Sequence, residues 1–146
     1  MTINNDSEFK ATLNGLPANR QRQVAARFAK SVLVLSKDAR VKHAIDSVTQ
    51  KSLSDDELDS AYKSAKAASV DSFTRCGSEC NWNDQAGHFV AQAALACIKP
   101  GDSPAWDAAM YARMARTSES IATGIGTDNA ETVAQYRILE KYLAGE

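Results

Sequence analysis

The stretch Trp82–Trp106, which reads WNDQAGHFVAQAALACIKPGDSPAW, gives the clearest indication of the fold. Alanine and larger apolar residues recur at three- and four-residue steps up to Ile98, which is the period of an amphipathic helix. The Lys99-Pro100-Gly101 segment stops that helix. Ser103-Pro104 then starts another, because proline fits the first turn of a helix. Two alanine-rich helices joined by a short loop predict an antiparallel helix hairpin.

Similar start and stop signals divide the rest of the chain, and no run alternates as a strand would. The predicted further helices are an opening helix at about Ser7–Leu13, a second from Pro17 to about Ser36, a third capped by Asp38, a fourth from the Ser54–Glu57 capping box to about Gly77, and a last helix capped by Thr127 or Asp128. We therefore expect an all-α protein. It should form one domain over residues 1–146, a bundle or stack of six to seven antiparallel helices, with residues 1–6 as a flexible N-terminal tail.

The predicted helix seams are rich in small residues, so the helix axes should approach one another closely. In such a fold a few large side chains fill most of the remaining space. The expected anchors are Phe28, Phe73, Trp82, Phe89 and Trp106.

Composition limits the classes of partner and the cellular compartment. The 146 residues carry 17 basic and 18 acidic side chains, for a net charge of −1. A nucleic-acid or anionic-membrane ligand is therefore not favoured, because such binders carry a basic excess. Three cysteines are too few for a disulfide scaffold, and neither an export signal nor a long apolar run is seen. We expect a cytoplasmic protein with reduced thiols and no membrane partner.

All three cysteines and one of the two histidines lie between Cys76 and Cys97. Cys76 and Cys80 have the spacing of half a zinc site, which would need further ligands such as His43. On a helix, however, His88 and Cys97 face opposite sides, because nine residues turn the chain by about 180°. The sequence therefore predicts a buried Cys97 and a rim His88. No metal or cofactor is favoured, and a thiol or metal site at Cys76 and Cys80 stays open as an alternative.

Protein binding is the leading functional hypothesis, since no catalytic motif or phosphate-binding loop is present and enzymatic activity is not favoured. Tryptophan, tyrosine and arginine are frequent anchors at interfaces. The predicted interaction residues are Arg20, Arg27 and Lys30 on a basic stripe of the second helix, and Trp106, Tyr111 and Arg113 on an aromatic surface. Self-association stays open. A further alternative is a small-molecule binder with a pocket lined by Trp82, Phe89 and Met110.

The alanine-rich texture of residues 61–115 resembles bacterial helical immunity proteins, which neutralise toxins delivered between competing cells. The matching positions are Ala65, Ala67, Ala68, Ala86, Gly87, His88, Val90, Ala91, Ala93, Ala105, Trp106, Ala108, Ala109, Tyr111, Ala112 and Ala115. The resemblance implies an all-helical fold, a bacterial source and a toxin as partner. It assigns no functional residue.

Overall fold

The computed structural model describes residues 2–49, 54–76, 81–98, 103–124 and 130–145, without the side chains of Arg75 and Cys76. Over these ranges the chain forms seven α-helices, one short 3-10 helix and no strand. The helices are α1 (Asp6–Asn14), α2 (Ala18–Ser31), α3 (Ala39–Val48), α4 (Asp55–Cys76), α5 (Trp82–Ile98), α6 (Pro104–Ala122) and α7 (Glu131–Leu143), with the 3-10 helix at Leu33–Leu35. The predicted all-α helical bundle is confirmed. None of the described helices combines the length and the apolar character that crossing a bilayer requires.

Side-chain caps fix where several helices begin. The Asp38 carboxylate accepts a hydrogen bond from the Arg40 amide, and the Ser54 hydroxyl accepts one from the Glu57 amide, as the sequence predicts. Asn5 and Asn81 cap α1 and α5 in the same way, although the sequence analysis did not single them out. Each cap satisfies an amide that has no partner within its own helix.

The second helix ends at Ser31, five residues earlier than predicted. The Ser31 hydroxyl donates to the Phe28 carbonyl at 2.7 Å, and the chain then tightens into the 3-10 helix. The β-branched Val32 and Val34 favour this ending, because their side chains crowd the preceding helical turn. The shortened helix lets the 3-10 segment turn back onto α5.

The first residues pack against the last helix. Ile3 is buried, and its amide donates to Glu140 Oε1 at 3.0 Å. The structure of residues 2–5 thus differs from the predicted flexible tail. Burial of the apolar Ile3 side chain favours this arrangement, and Glu140 accepts the hydrogen bond from the Ile3 amide.

The core is centred on the seam between α5 and α6, with α4 on the other side of α5 and α2 across both. Most buried side chains of α5 and α6 are small: Ala86, Ala93, Ala94, Ala105, Ala108, Ala109, Ala112 and Ala115 are all buried. Phe28 is a buried anchor as expected, and its ring lies 5.6 Å from that of Phe9, which sequence analysis overlooked. The prediction is wrong for two other expected anchors, since Phe73 is 71% exposed and Trp82 is 47% exposed.

Candidate interaction surfaces

Large apolar side chains lie exposed on neighbouring helices at one side of the bundle. Besides Phe73 on α4 and Trp82 on α5, Met114 on α6 is 46% exposed. The rings of Phe73 and His88 are 6.0 Å apart, and those of His88 and Phe89 are also 6.0 Å apart. These contacts connect the exposed ring on α4, across α5, with the side that faces α6.

A groove of about 390 Å³ runs between α5 and α6 on this side. Its wall on α5 comes from Trp82, Gln85 and Phe89, and its wall on α6 from Met110, Arg113, Met114, Thr117, Ser118 and Ile121. The wall residues recur at three- and four-residue steps, so each wall is one face of a helix. Trp82, Phe89 and Met110, which the sequence analysis names as lining a hypothetical pocket, all border this α5–α6 groove.

His88 lies partly buried between α4 and α5. Its Nδ1 is 2.7 Å from the Ser72 hydroxyl, which itself donates to the Ser69 carbonyl at 2.9 Å. The tautomer of the imidazole decides which of the two groups donates in the Ser72–His88 hydrogen bond. Burial lowers the pKa of His88. The pair therefore ties α4 to α5.

A second cavity, of about 670 Å³, lies between the 3-10 segment, α3, α4 and α5. Its walls mix apolar residues with polar groups such as Lys37, Asp38 and Asp84. The Asp38 carboxylate contacts the Arg40 guanidinium at 2.8 Å, and Arg40 also contacts Asp71 at 2.8 Å. Because Asp38 is already matched by a cation, this cleft offers less to a charged ligand than its polar lining suggests.

The basic stripe is organised by Tyr142 of α7. The guanidinium carbons of Arg20 and Arg27 lie 5.0 and 4.8 Å from the centre of the Tyr142 ring. Arg20 Nε donates to the Tyr142 hydroxyl at 3.2 Å, and that hydroxyl donates to Gln23 Oε1 at 2.6 Å. Lys30 is exposed one turn further along α2. We call these five residues the basic surface.

The predicted aromatic surface is mostly an internal joint. The Arg113 side chain is only 17% exposed and donates to both carboxylate oxygens of Asp6, at 3.0 and 2.9 Å. Trp106 packs on Phe9 at 6.1 Å with the Lys10 ammonium 5.0 Å above its ring, and Tyr111 is partly buried. Hydrogen bonding to Arg113 holds the pKa of Asp6 below its usual value. Arg113 thus joins α6 to α1.

Some of the cysteines and histidines singled out in the sequence lie in the described ranges, and others do not. Cys97 is buried, its Sγ lies 3.2 Å from the Ala93 carbonyl, and burial raises its pKa to about 12. The side chain of Cys76 and the whole of Cys80 lie outside the described residues, whereas His43 is exposed on α3. In the described ranges, no three His, Cys, Asp or Glu side chains come together as metal ligands would.

The chain matches no protein-family model, no curated protein and no solved structure. The resemblance to immunity proteins stays a prediction. The α5–α6 groove and the basic surface are the two candidate binding surfaces of the described residues.

Proposed function

We propose that this protein is a non-enzymatic interaction module that binds another protein through the α5–α6 groove. One observation carries the proposal: Trp82 and Met114 are each almost half exposed at the borders of a groove with largely apolar walls. Exposed apolar side chains scattered singly are ordinary, but several around one concave site are typical of binding surfaces. Aromatic residues and methionine are enriched at the centres of protein interfaces.

The shape of the groove favours an amphipathic helix as the bound element. Its two walls are faces of adjacent helices, so it extends along their length and can hold apolar side chains spaced by a helical turn. Methionines on the α6 wall can adapt their rotamers to different side chains. Complete burial of one large apolar side chain contributes about 1.5–3 kcal/mol, so a few such contacts suffice for specific binding.

A narrower form of the proposal follows from the immunity-protein resemblance. The partner would be a toxin, and the chain would neutralise it in the bacterial cytoplasm. In that case co-expression should protect cells from the toxin, and a variant with a disrupted groove should not protect them. A toxin gene beside the gene for this chain would support this form, whereas a metabolic operon would argue against it.

The groove proposal can be tested with two matched surface variants. Met114→Lys places a charge in the groove, and Val133→Lys places the same charge at a residue of α7 that is 53% exposed and lies outside the groove. Both proteins should keep the circular dichroism and unfolding midpoint of the wild type, because both positions are exposed. A partner identified with the wild type should keep its affinity for Val133→Lys. Its affinity for Met114→Lys should fall at least tenfold, because binding would bury an unpaired ammonium.

Equal affinities for Met114→Lys and Val133→Lys would reject the groove as the contact site. A partner lost with both variants would also reject it. In that second case, added positive charge anywhere on the surface would be sufficient to prevent binding.

A small apolar molecule is a second candidate occupant of the same groove. The volume of the groove, about 390 Å³, lies within the roughly 300–1,000 Å³ range of ligand pockets. Native mass spectrometry of protein purified without denaturation should then show an added mass that disappears in Met110→Glu. The bare mass of the chain alone would reject this candidate.

A further inference from the structure

The basic surface lies apart from the α5–α6 groove. Arg22, between Arg20 and Gln23 on α2, donates to the Cys97 carbonyl at 3.3 Å, which places this part of α2 near the last turn of α5. The groove, in contrast, includes Trp82, the first residue of α5. The 17 residues of α5 span about 25 Å at a rise of about 1.5 Å per residue. The two surfaces are therefore separate sites.

Tyr142 holds two cations in fixed positions. Arg20 and Arg27 are seven residues apart on α2, so their Cα atoms are separated by about 10 Å along the helix. Both guanidinium groups nevertheless lie within 5.0 Å of one buried ring. Attraction between a cation and an aromatic face supplies this restraint, and the Arg20–Tyr142 hydrogen bond adds a second one. A ligand that binds here would find two arginines already ordered, which lowers the entropy cost of binding.

These two positive charges are not neutralised within the described parts of the chain. Four other arginines, Arg40, Arg113, Arg116 and Arg137, each contact a carboxylate at 3.5 Å or less. No such contact exists between a described carboxylate and Arg20, Arg27 or Lys30. The concentration of charge contrasts with the net charge of −1 of the whole chain. An anion would thus be attracted to the basic surface and not to the chain as a whole.

The free donors define the chemistry of the ligand. Toward the described residues, Arg20 donates a hydrogen bond through Nε alone and Arg27 donates none, so the terminal N–H groups of both have no partner in these ranges. The Gln23 amide uses its oxygen with Tyr142, which leaves its NH₂ group as a further donor. A surface with many donors fits a ligand with many acceptors. Carboxylates meet this requirement because each can accept two parallel hydrogen bonds from one guanidinium group.

We propose that the basic surface binds an acidic segment of a protein, with at least two carboxylates that pair separately with Arg20 and Arg27. Each guanidinium group packs on the Tyr142 ring, 5.0 and 4.8 Å from its centre, and each can pair with a carboxylate of its own. Two carboxylates one helical turn apart, or on alternate residues of a strand, have a spacing of about 6–7 Å and could supply one partner to each arginine. The proposal concerns a second site and does not depend on the groove.

A fluorescently labelled octaglutamate peptide is a suitable probe of this site. We expect it to bind the wild type in an anisotropy titration at low salt, and added salt should weaken the binding because Arg20 is exposed and Arg27 is only partly buried. The double variant R20Q/R27Q should bind at least tenfold more weakly. The control K37Q/K66Q removes the same charge from exposed lysines that have no carboxylate partner among the described residues. It should bind within about twofold of the wild type. Circular dichroism should show that both double variants are folded.

Three results would overturn the proposal. The first is an equal loss of affinity in R20Q/R27Q and K37Q/K66Q, which would show an effect of net charge alone. The second is tighter binding of inorganic phosphate than of octaglutamate, and the third is tighter binding of a DNA duplex. The Met114→Lys variant should bind octaglutamate as the wild type does, so failure of this site and failure of the groove can be distinguished.

Discussion

At the scale of single residues, His88 connects the packing of the bundle to pH. Burial lowers the pKa of this imidazole below its ordinary value of 6.5, so the folded chain binds the proton less readily than the unfolded chain does. The stability that the neutral side chain provides is complete above about pH 6.5. As the pH falls through the lowered pKa, the folded state loses that stability because it must accommodate a partly buried cation beside Ser72.

We therefore predict that the wild type loses more of its free energy of unfolding between pH 7 and pH 5 than His88→Gln does. Urea unfolding at each pH measures this difference. His43→Gln, which keeps the Ser72–His88 pair, should lose stability as the wild type does. Parallel pH profiles for the wild type and His88→Gln would show that burial of this imidazole has no energetic consequence.

Contacts between residues that are distant in the chain could not be predicted from the sequence. Periodicity places Arg113 on a helix face beside aromatic residues, which favours an interaction surface, but its partner Asp6 is 107 residues away in the chain. Arg113 therefore pairs with a carboxylate inside the fold that its neighbours in sequence do not reveal. Cys97, in contrast, could be predicted as buried, because its neighbours on α5 alone define an apolar face.

At the scale of helices, Gly87 lies where α5 faces the 3-10 segment. A Cβ atom added at this position would lie 3.6 Å from the Leu35 carbonyl oxygen, which is an ordinary van der Waals contact. The site therefore has space for one methyl group. A longer side chain would displace the 3-10 segment.

Gly87→Ala should accordingly raise the free energy of unfolding by about 0.5–1 kcal/mol, because alanine loses less backbone entropy than glycine in a helix. Gly87→Leu should lower it by about 1–3 kcal/mol, as expected for an overpacked site. Urea unfolding of both variants tests these values. If Gly87→Ala is destabilising, the two segments must be closer than the structure shows.

Helix boundaries that a local signal sets were predictable, but the end of α2 and the start of α7 were not. The last helix begins at Glu131 after Ala130, and its predicted caps, Thr127 and Asp128, lie outside the described residues. Ser54 and Asp38 signal their helices because a cap needs only a local side chain and a nearby amide. The end of α2 at Ser31 depends on the way the following 3-10 segment packs onto α5, and local propensity does not contain that information. The same applies to Ile3, whose burial requires Glu140 of the last helix.

At the scale of the whole molecule, small side chains are concentrated in the core, and several large apolar side chains lie at the surface. The buried side chains of α5 and α6 are mostly alanines, which permit a close approach of the helices, whereas Trp82 and Met114 on these helices remain partly exposed. Sequence periodicity identifies helix faces but not which face a neighbouring helix covers. For this reason Phe73 and Trp82 are predicted as core anchors and lie exposed instead.

Above all, we propose that the exposed side of α5 and α6 contacts a protein partner. A photo-crosslinking amino acid, p-benzoylphenylalanine, incorporated in place of Met114 tests this claim in cells that naturally contain the protein, and the same substitution at Val133 on α7 is the matched control. We predict a discrete crosslinked protein from position 114 and none from position 133. The absence of a crosslinked product at position 114, or the same products from both positions, would rule out partner binding at the α5–α6 groove.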